Sequence, residues 1–210
     1  MICANLQLTD YIADGRPGHD DIVVVSAPLS EVLTGEFDGA AAVLGLTAEE
    51  ILLAALGRTI VRTIGDGVVL VDLPGDTERT ASVYPVELLC TGPAVTSASD
   101  MLAAVHRSVS ALALRRMVPE DAHAQSSAAV LLVVDGEREL PAEPAALGHA
   151  LELRAHRRDG VLVLDWWYDS RTFEAYTVEE MSEQFAYGLI ELTSEASAPV
   201  IAGTELAAAH

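Results

Sequence analysis

The 210-residue sequence predicts an α/β fold, a layered sandwich of one sheet and helices, and three observations carry that prediction. Short apolar β-branched runs alternate with stretches of helical periodicity. An Asp159-Gly160 dipeptide sits between two alternating runs, as a tight hairpin requires. Half of the residues are hydrophobic, enough to bury one substantial core.

Residues 22 to 29, "IVVVSAPL", read as a buried strand ended by Pro28 and followed by Ser30, a capping residue that opens a helix. In "GLTAEEILLAALGRTIVRTIG", Thr47 and Glu50 form a capping box, and Ile51, Leu52, Ala55, Leu56, Ile60 and Ile64 recur at helical spacing before Gly65. "VVLVDL", 68 to 73, is a strand delivering the polar loop that continues through Pro74, Gly75, Asp76 and Glu78. "SVYPVELL" is another strand, which Pro85 assigns to a sheet edge or a bulge. Ser99 and Asp100 are placed to cap a helix running to Leu114, with Leu102, Val105, Val109 and Leu112 inward. "SAAVLLVV" is a continuous apolar strand; "ALELRAHRR" and "VLVLDWWYD" make the hairpin. Thr177 and Glu180 form a second capping box before Met181, Phe185, Leu189, Ile190 and Leu192. This divides the chain into an N-terminal segment (1–20), one domain (21–195) and a loosely held tail (196–210).

Composition excludes several classes of function. The chain holds 32 acids and 12 bases, a net charge of -20, and its basic groups "LRRM" and "HRRD" are short and isolated. Clustered cations are what phosphate backbones demand, so nucleic acid is not an expected partner. No apolar run reaches the roughly 18 to 20 residues of a membrane span, so no membrane is expected. The start "MICANLQLTDYIADGRPGHDD" lacks a basic opening and an apolar stretch, which argues against a signal peptide and for a cytoplasmic protein. Cys3 and Cys90 have neither CxxC nor histidine spacing, so no zinc site, disulfide or other cofactor is implied.

The order of elements and three phrases, "EEILLAALGRTIVRTIGDGVVLVDLPG", "SVYPVELL" and "HRRDGVLVLDWWYDSRTFEAYTVEEMSEQFAYGLIEL", resemble the C-terminal half of a nonribosomal peptide synthetase condensation or epimerization domain. The resemblance runs from about residue 20 to 195 and implies one lobe of the chloramphenicol-acetyltransferase-like, CoA-dependent acyltransferase fold. In that family two lobes enclose a cleft, and the catalytic histidine belongs to a His-His-x-x-x-Asp-Gly motif of the N-terminal lobe. No such motif occurs here, so no catalytic residue is assigned. Epimerization domains carry a Glu-Gly-His-Gly-Arg loop after the strand that "VLVDL" resembles, and its glutamate is implicated in proton movement. Pro74 stands in its place, and proline can neither take nor give a proton. Asp72, Pro74, Gly75, Asp76 and Glu78 thus read as a vestigial-site loop. Asp72, Asp76 and Glu78 could converge on a divalent metal, but with no neighbouring histidine in the sequence a solvated acidic loop is favoured and no metal is assigned.

The histidines add little. His106 cannot face Ser108, two positions further along a helix, and it reads as an ordinary surface or boundary histidine. His123 with Ser126 and Ser127 lacks any G-x-S-x-G signal. His149 and His156 are expected on opposite faces of one strand. Tyr84, Trp166, Trp167 and Tyr168 are the candidate interface or ligand surface; alternation puts Trp166 and Tyr168 on one face and Trp167 on the other, and at least one of these faces is expected to pack on the closing helix.

Three functional classes follow. The favoured one is a non-catalytic half-domain for binding or assembly, as a homodimer or with a companion chain bearing the other lobe, tied to nonribosomal peptide or lipid biosynthesis. The alternatives are one part of a split acyl or aminoacyl transferase or epimerase whose histidine-motif lobe is on another chain, and a small-molecule or acyl-chain binding protein. The resemblance also implies a carrier protein or synthetase as partner, for which Arg115, Arg116, Arg157 and Arg158 would have to offset the acidic surface.

Overall fold

A computed structural model of the chain describes residues 5–75, 83–116, 128–135 and 148–195. Among these, six strands form one mixed sheet: β1 (Ile22–Pro28), β2 (Gly67–Pro74), β3 (Val83–Cys90), β4 (Val130–Val134), β5 (Leu151–Arg158) and β6 (Val161–Asp169), in the order β1-β6-β5-β4-β2-β3. The helices are α1 (Glu31–Leu44), α2 (Ala48–Thr63), α3 (Ala98–Arg116) and α4 (Ala175–Glu195). The β2–β4 and β4–β5 pairs are parallel and the others antiparallel. This is the α/β layered sandwich that the sequence predicts.

Local rules place most element ends. Ser30 Oγ accepts from Leu33 N at 3.1 Å to cap α1, and the Thr47–Glu50 box closes α2 with contacts of 3.2 and 2.7 Å. Asp159 and Gly160 both take positive φ, 53° and 79°, the type I′ turn that matches the twist of a β5–β6 hairpin. Two expected caps are corrected. Ser97, not Ser99 with Asp100, caps α3, accepting from Asp100 N at 3.2 Å while its hydroxyl donates to the Asp100 carboxylate at 2.7 Å. The last helix starts at Ala175, with Thr177 N and Val178 N donating to Glu174 O, so Thr177 lies inside the first turn and cannot cap it. Offsets of one or two residues leave the local pattern unchanged, and packing chooses between them.

One sheet face is covered by the helices. Trp166, Leu164, Leu153, Leu151, Val71, Val86 and Leu88 point into this layer with Met181, Phe185, Leu189, Ile51 and Leu56, all buried. The expected inner face of α3, Leu102, Val105, Val109 and Leu112, is buried as well, whereas Ile190 of α4 is exposed. Burial pushes the Cys90 thiol up to about 12, and the nearby Asp66 charge acts in the same direction.

Helices α2 and α4 approach closely because Gly188 has no side chain: a Cβ there would lie 3.1 Å from Arg58 Cβ and 3.2 Å from the Ala55 carbonyl oxygen. The Arg58 side chain is wholly buried between these helices. Its Nε lies 2.8 Å from Glu191 Oε1, an ion pair without the alignment of a hydrogen bond. Its terminal nitrogens donate to the carbonyls of Thr91 and Thr96.

Two strands bear on the sequence expectations. The apolar run 22–28 reads as buried, yet β1 is an edge strand with Val23 and Val24 partly exposed; an unbroken apolar run fits either place. Pro85 does mark an edge strand, β3, where a missing N–H costs no ladder bond. Within residues 5–20, contacts tie the chain to the domain: Leu6 N donates to Val68 O, Leu8 is buried, and Asp10 accepts from Glu174 N at the start of α4. The tail 196–210 lies outside the described residues. Among them, no single helix is long and apolar enough to cross a membrane.

Candidate functional site

The sheet face that carries no helix among the described residues has a polar cluster at its centre. On β5, Glu152, Arg154 and His156 are all buried, and they lie opposite Trp167, Asp165 and Val163 of β6. Arg154 donates to Glu152 and its guanidinium stands 5.7 Å from the Trp167 ring centroid, a cation–π distance. His156 Nδ1 is 3.6 Å from Asp165 Oδ2, and Ser26 of β1 donates to the same carboxylate group. The indole Nε1 of Trp167 is buried with no hydrogen-bond partner among the described residues. Charged groups this well buried need partners, and Arg154 with Glu152 and His156 with Asp165 supply them in part.

At one end of the sheet lies a cleft of about 470 Å³, lined among others by Arg16, Val83, His149, Asp169 and Thr172. Asp72, on β2 and wholly buried, accepts from His149 Nε2 at 2.7 Å, and its other carboxylate oxygen has no partner among the described residues. The expectation that Asp72 has no neighbouring histidine is thereby corrected. His149 lies 77 residues further along the chain and is brought in because β4 runs parallel to both β2 and β5. It precedes β5 rather than lying on it with His156.

Beside it, Asp169 is gripped by Arg171 at Nη2 to Oδ2 (2.8 Å) and Nε to Oδ1 (3.0 Å), with Arg171 N adding a third contact at 3.0 Å. The Arg171 hydrogen bonds hold the Asp169 carboxyl below its usual range against the opposing effect of burial. Arg171 also donates to Asp14 O and Gly15 O, fixing the cleft's N-terminal wall. Because the folded form lowers this pKa, the stabilisation is complete above the unfolded value of 3.8 and is lost as pH falls through the lower folded value. Asp169→Asn is therefore expected to flatten the acid limb of a stability–pH curve, as measured by urea unfolding between about pH 2 and 5.

Pro74 ends β2 opposite Val83, and Gly75 follows it; Asp76 and Glu78, with His123, Ser126 and Ser127, lie outside the described residues. Trp166 and Tyr168, two of the four candidate surface residues, lie on the face that meets the closing helix, the packing expected of at least one face of this strand. Both are buried in the helix layer, Trp166 edge-on to Phe185 at 5.6 Å and Tyr168 edge-on to Phe173 at 6.4 Å. Alternation does send Trp167 to the other face, and Tyr84 is half-buried against the core. His106 Nδ1 meets Glu50 at 2.8 Å, so it braces the α2 cap. Among the described residues no group of three or more His, Cys, Asp or Glu could hold a metal ion.

No family model matches the sequence. A curated relative, one component of the phenolphthiocerol/phthiocerol polyketide synthase of Mycobacterium tuberculosis, is 33% identical over 243 aligned positions, taking in 93% of this chain but only 16% of the relative. Among solved structures, the epimerization domain from the third module of tyrocidine synthetase B superposes with a TM-score of 0.68 at 16% identity, covering 92% of this chain and 52% of that one. The X-domain in its complex with OxyB from teicoplanin biosynthesis gives 0.67 at 18%, covering 93% and 50%. The chain thus spans about a sixth of its curated relative and about half of each solved domain. It has the α/β fold of one lobe of a condensation-type domain, and resembles the C-terminal half of a nonribosomal peptide synthetase condensation or epimerization domain.

Proposed function

We propose that this lobe works by binding and assembly in polyketide or nonribosomal peptide biosynthesis and does not itself run the condensation reaction of the intact family. The observation that carries the reading is the pairing of a preserved lobe fold with a sequence lacking the His-His-x-x-x-Asp-Gly motif. The helix-free sheet face supports it, because Trp167 and the Glu152–Arg154 pair form a fixed, partly covered patch of the aromatic and arginine kind that interfaces favour. The X-domain offers a parallel, as a protein of this fold found in complex with another. The occupant of the face is a second copy related by a twofold axis, or a companion chain bearing the other lobe.

Light scattering of the purified chain tests this. A particle of twice the 22.2 kDa chain mass, reverting to the single mass in Trp167→Glu with its circular dichroism unchanged, is the expected result. A monomer that captures a histidine-motif lobe and then gains transferase activity would overturn it in favour of a split enzyme. A monomer that binds neither would overturn the assembly reading altogether.

A further inference from the structure

The sheet-end cleft has the chemistry of a ligand site in its own right. Its volume of about 470 Å³ falls in the range small-molecule sites occupy. An ionised carboxylate only accepts, so the 2.7 Å contact with Asp72 requires the hydrogen on Nε2 of His149. In its neutral form this imidazole offers Nδ1 as an acceptor, and no described residue hydrogen-bonds it. Asp72 Oδ1, behind His149, is a second acceptor that is buried and has no partner among the described residues. Such groups in a native fold call for an occupant. Arg16, on the cleft wall, is the converse: it only donates, and no carboxylate pairs with it among the described residues. The other charged pair at the wall, Asp169 with Arg171, is already mutually satisfied.

We propose that this cleft binds a small neutral hydroxy-carbonyl compound, whose hydroxyl donates to Nδ1 of His149 and whose carbonyl oxygen accepts from Arg16. Asp72 is a positioning residue that holds the imidazole in the receptive tautomer, as a second partner of histidine generally does. An anionic ligand is disfavoured by the net charge of -20. The site goes beyond the assembly reading and stands whether or not the chain has a partner.

The test uses the ¹⁵N-labelled full chain with 3-hydroxybutyramide as probe and butyramide, which lacks the hydroxyl, as its control. Long-range ¹H–¹⁵N spectra should show His149 as the Nε2–H tautomer, with an Nδ1 resonance that moves saturably on adding the hydroxy amide. Loss of one hydrogen bond is worth about tenfold in affinity, so butyramide should bind about tenfold more weakly. By ligand-observed saturation transfer, His149→Gln, which keeps a donor for Asp72, and Arg16→Gln should each weaken the hydroxy amide by a similar factor. Asp72→Asn should weaken it and also mix the His149 tautomers, a signature that mere loosening of the fold would not produce. Equal binding of the two amides, unchanged affinity in His149→Gln, or an Nδ1–H tautomer in the parent chain overturns the proposal; if Asp72→Asn does not fold, the other measurements still decide it.

Discussion

Arg58→Ala is expected to destabilise the fold by about 3 to 5 kcal/mol, the largest effect of any single substitution at a charged residue here. The magnitude comes from what the change leaves behind. Glu191 is only 9% exposed at its side chain and would keep one partner, Arg62, whose Nη2 lies 2.8 Å away at the rim. The carbonyls of Thr91 and Thr96 would lose their guanidinium donors in the segment that links β3 to α3. Desolvated acceptors without donors are costlier than the original ion pair is favourable. The double substitution Arg58→Met with Glu191→Leu should therefore recover much of the loss, since an apolar pair of similar volume carries no charge that burial must strip of water. Urea unfolding of the two variants and the parent checks this. A double variant no more stable than Arg58→Ala would mean that the bonds to Thr91 and Thr96, rather than the buried charge, dominate.

Trp166→Ala is expected to cost about 3 to 5 kcal/mol as well, by a different route. Trp166 is wholly buried in the middle of β6, paired with Val25 on β1 and Leu153 on β5, with Phe185 of α4 edge-on to its ring. Alanine would open a cavity between sheet and helix that neither layer can close without giving up other contacts. Its indole Nε1 is buried with no hydrogen-bond partner among the described residues, so the native residue already bears an unmet polar group. Trp166→Phe should consequently be mild, within about 1.5 kcal/mol, because the lost volume is offset by removal of that donor. Thermal unfolding resolves the two: losses equal in the alanine and phenylalanine variants would mean that the indole N–H has a partner, such as an ordered water.

How much the sequence reveals depends on how local the signal is. The α2 capping box, the Asp159-Gly160 turn and the inward stripe of α3 are short-range features, settled by φ/ψ preference and side-chain period, and they appear as expected. The loop acids draw attention to the end of β2, where Asp72 lies near the sheet-end cleft, while Asp76 and Glu78 lie outside the described residues. Asp72 matters there, yet it faces inward from the strand and its partner is His149, which sequence spacing ties to His156. The one local hint is the type of residue: a histidine just before a strand that the parallel β4 brings beside β2.

The sequence by itself determined the layered α/β class, the succession of strands and helices, the Asp159-Gly160 hairpin and the absence of the histidine motif, because each is written in residues within a few positions of one another. Only the tertiary structure decided that β1 lies at an edge, that Arg58 meets Glu191 across two helices and that Asp72 meets His149 at a cleft. Those contacts depend on the strand order β1-β6-β5-β4-β2-β3. That order is chosen by the fit of the whole core, a sum over many weak packing terms that no local stretch of chain contains.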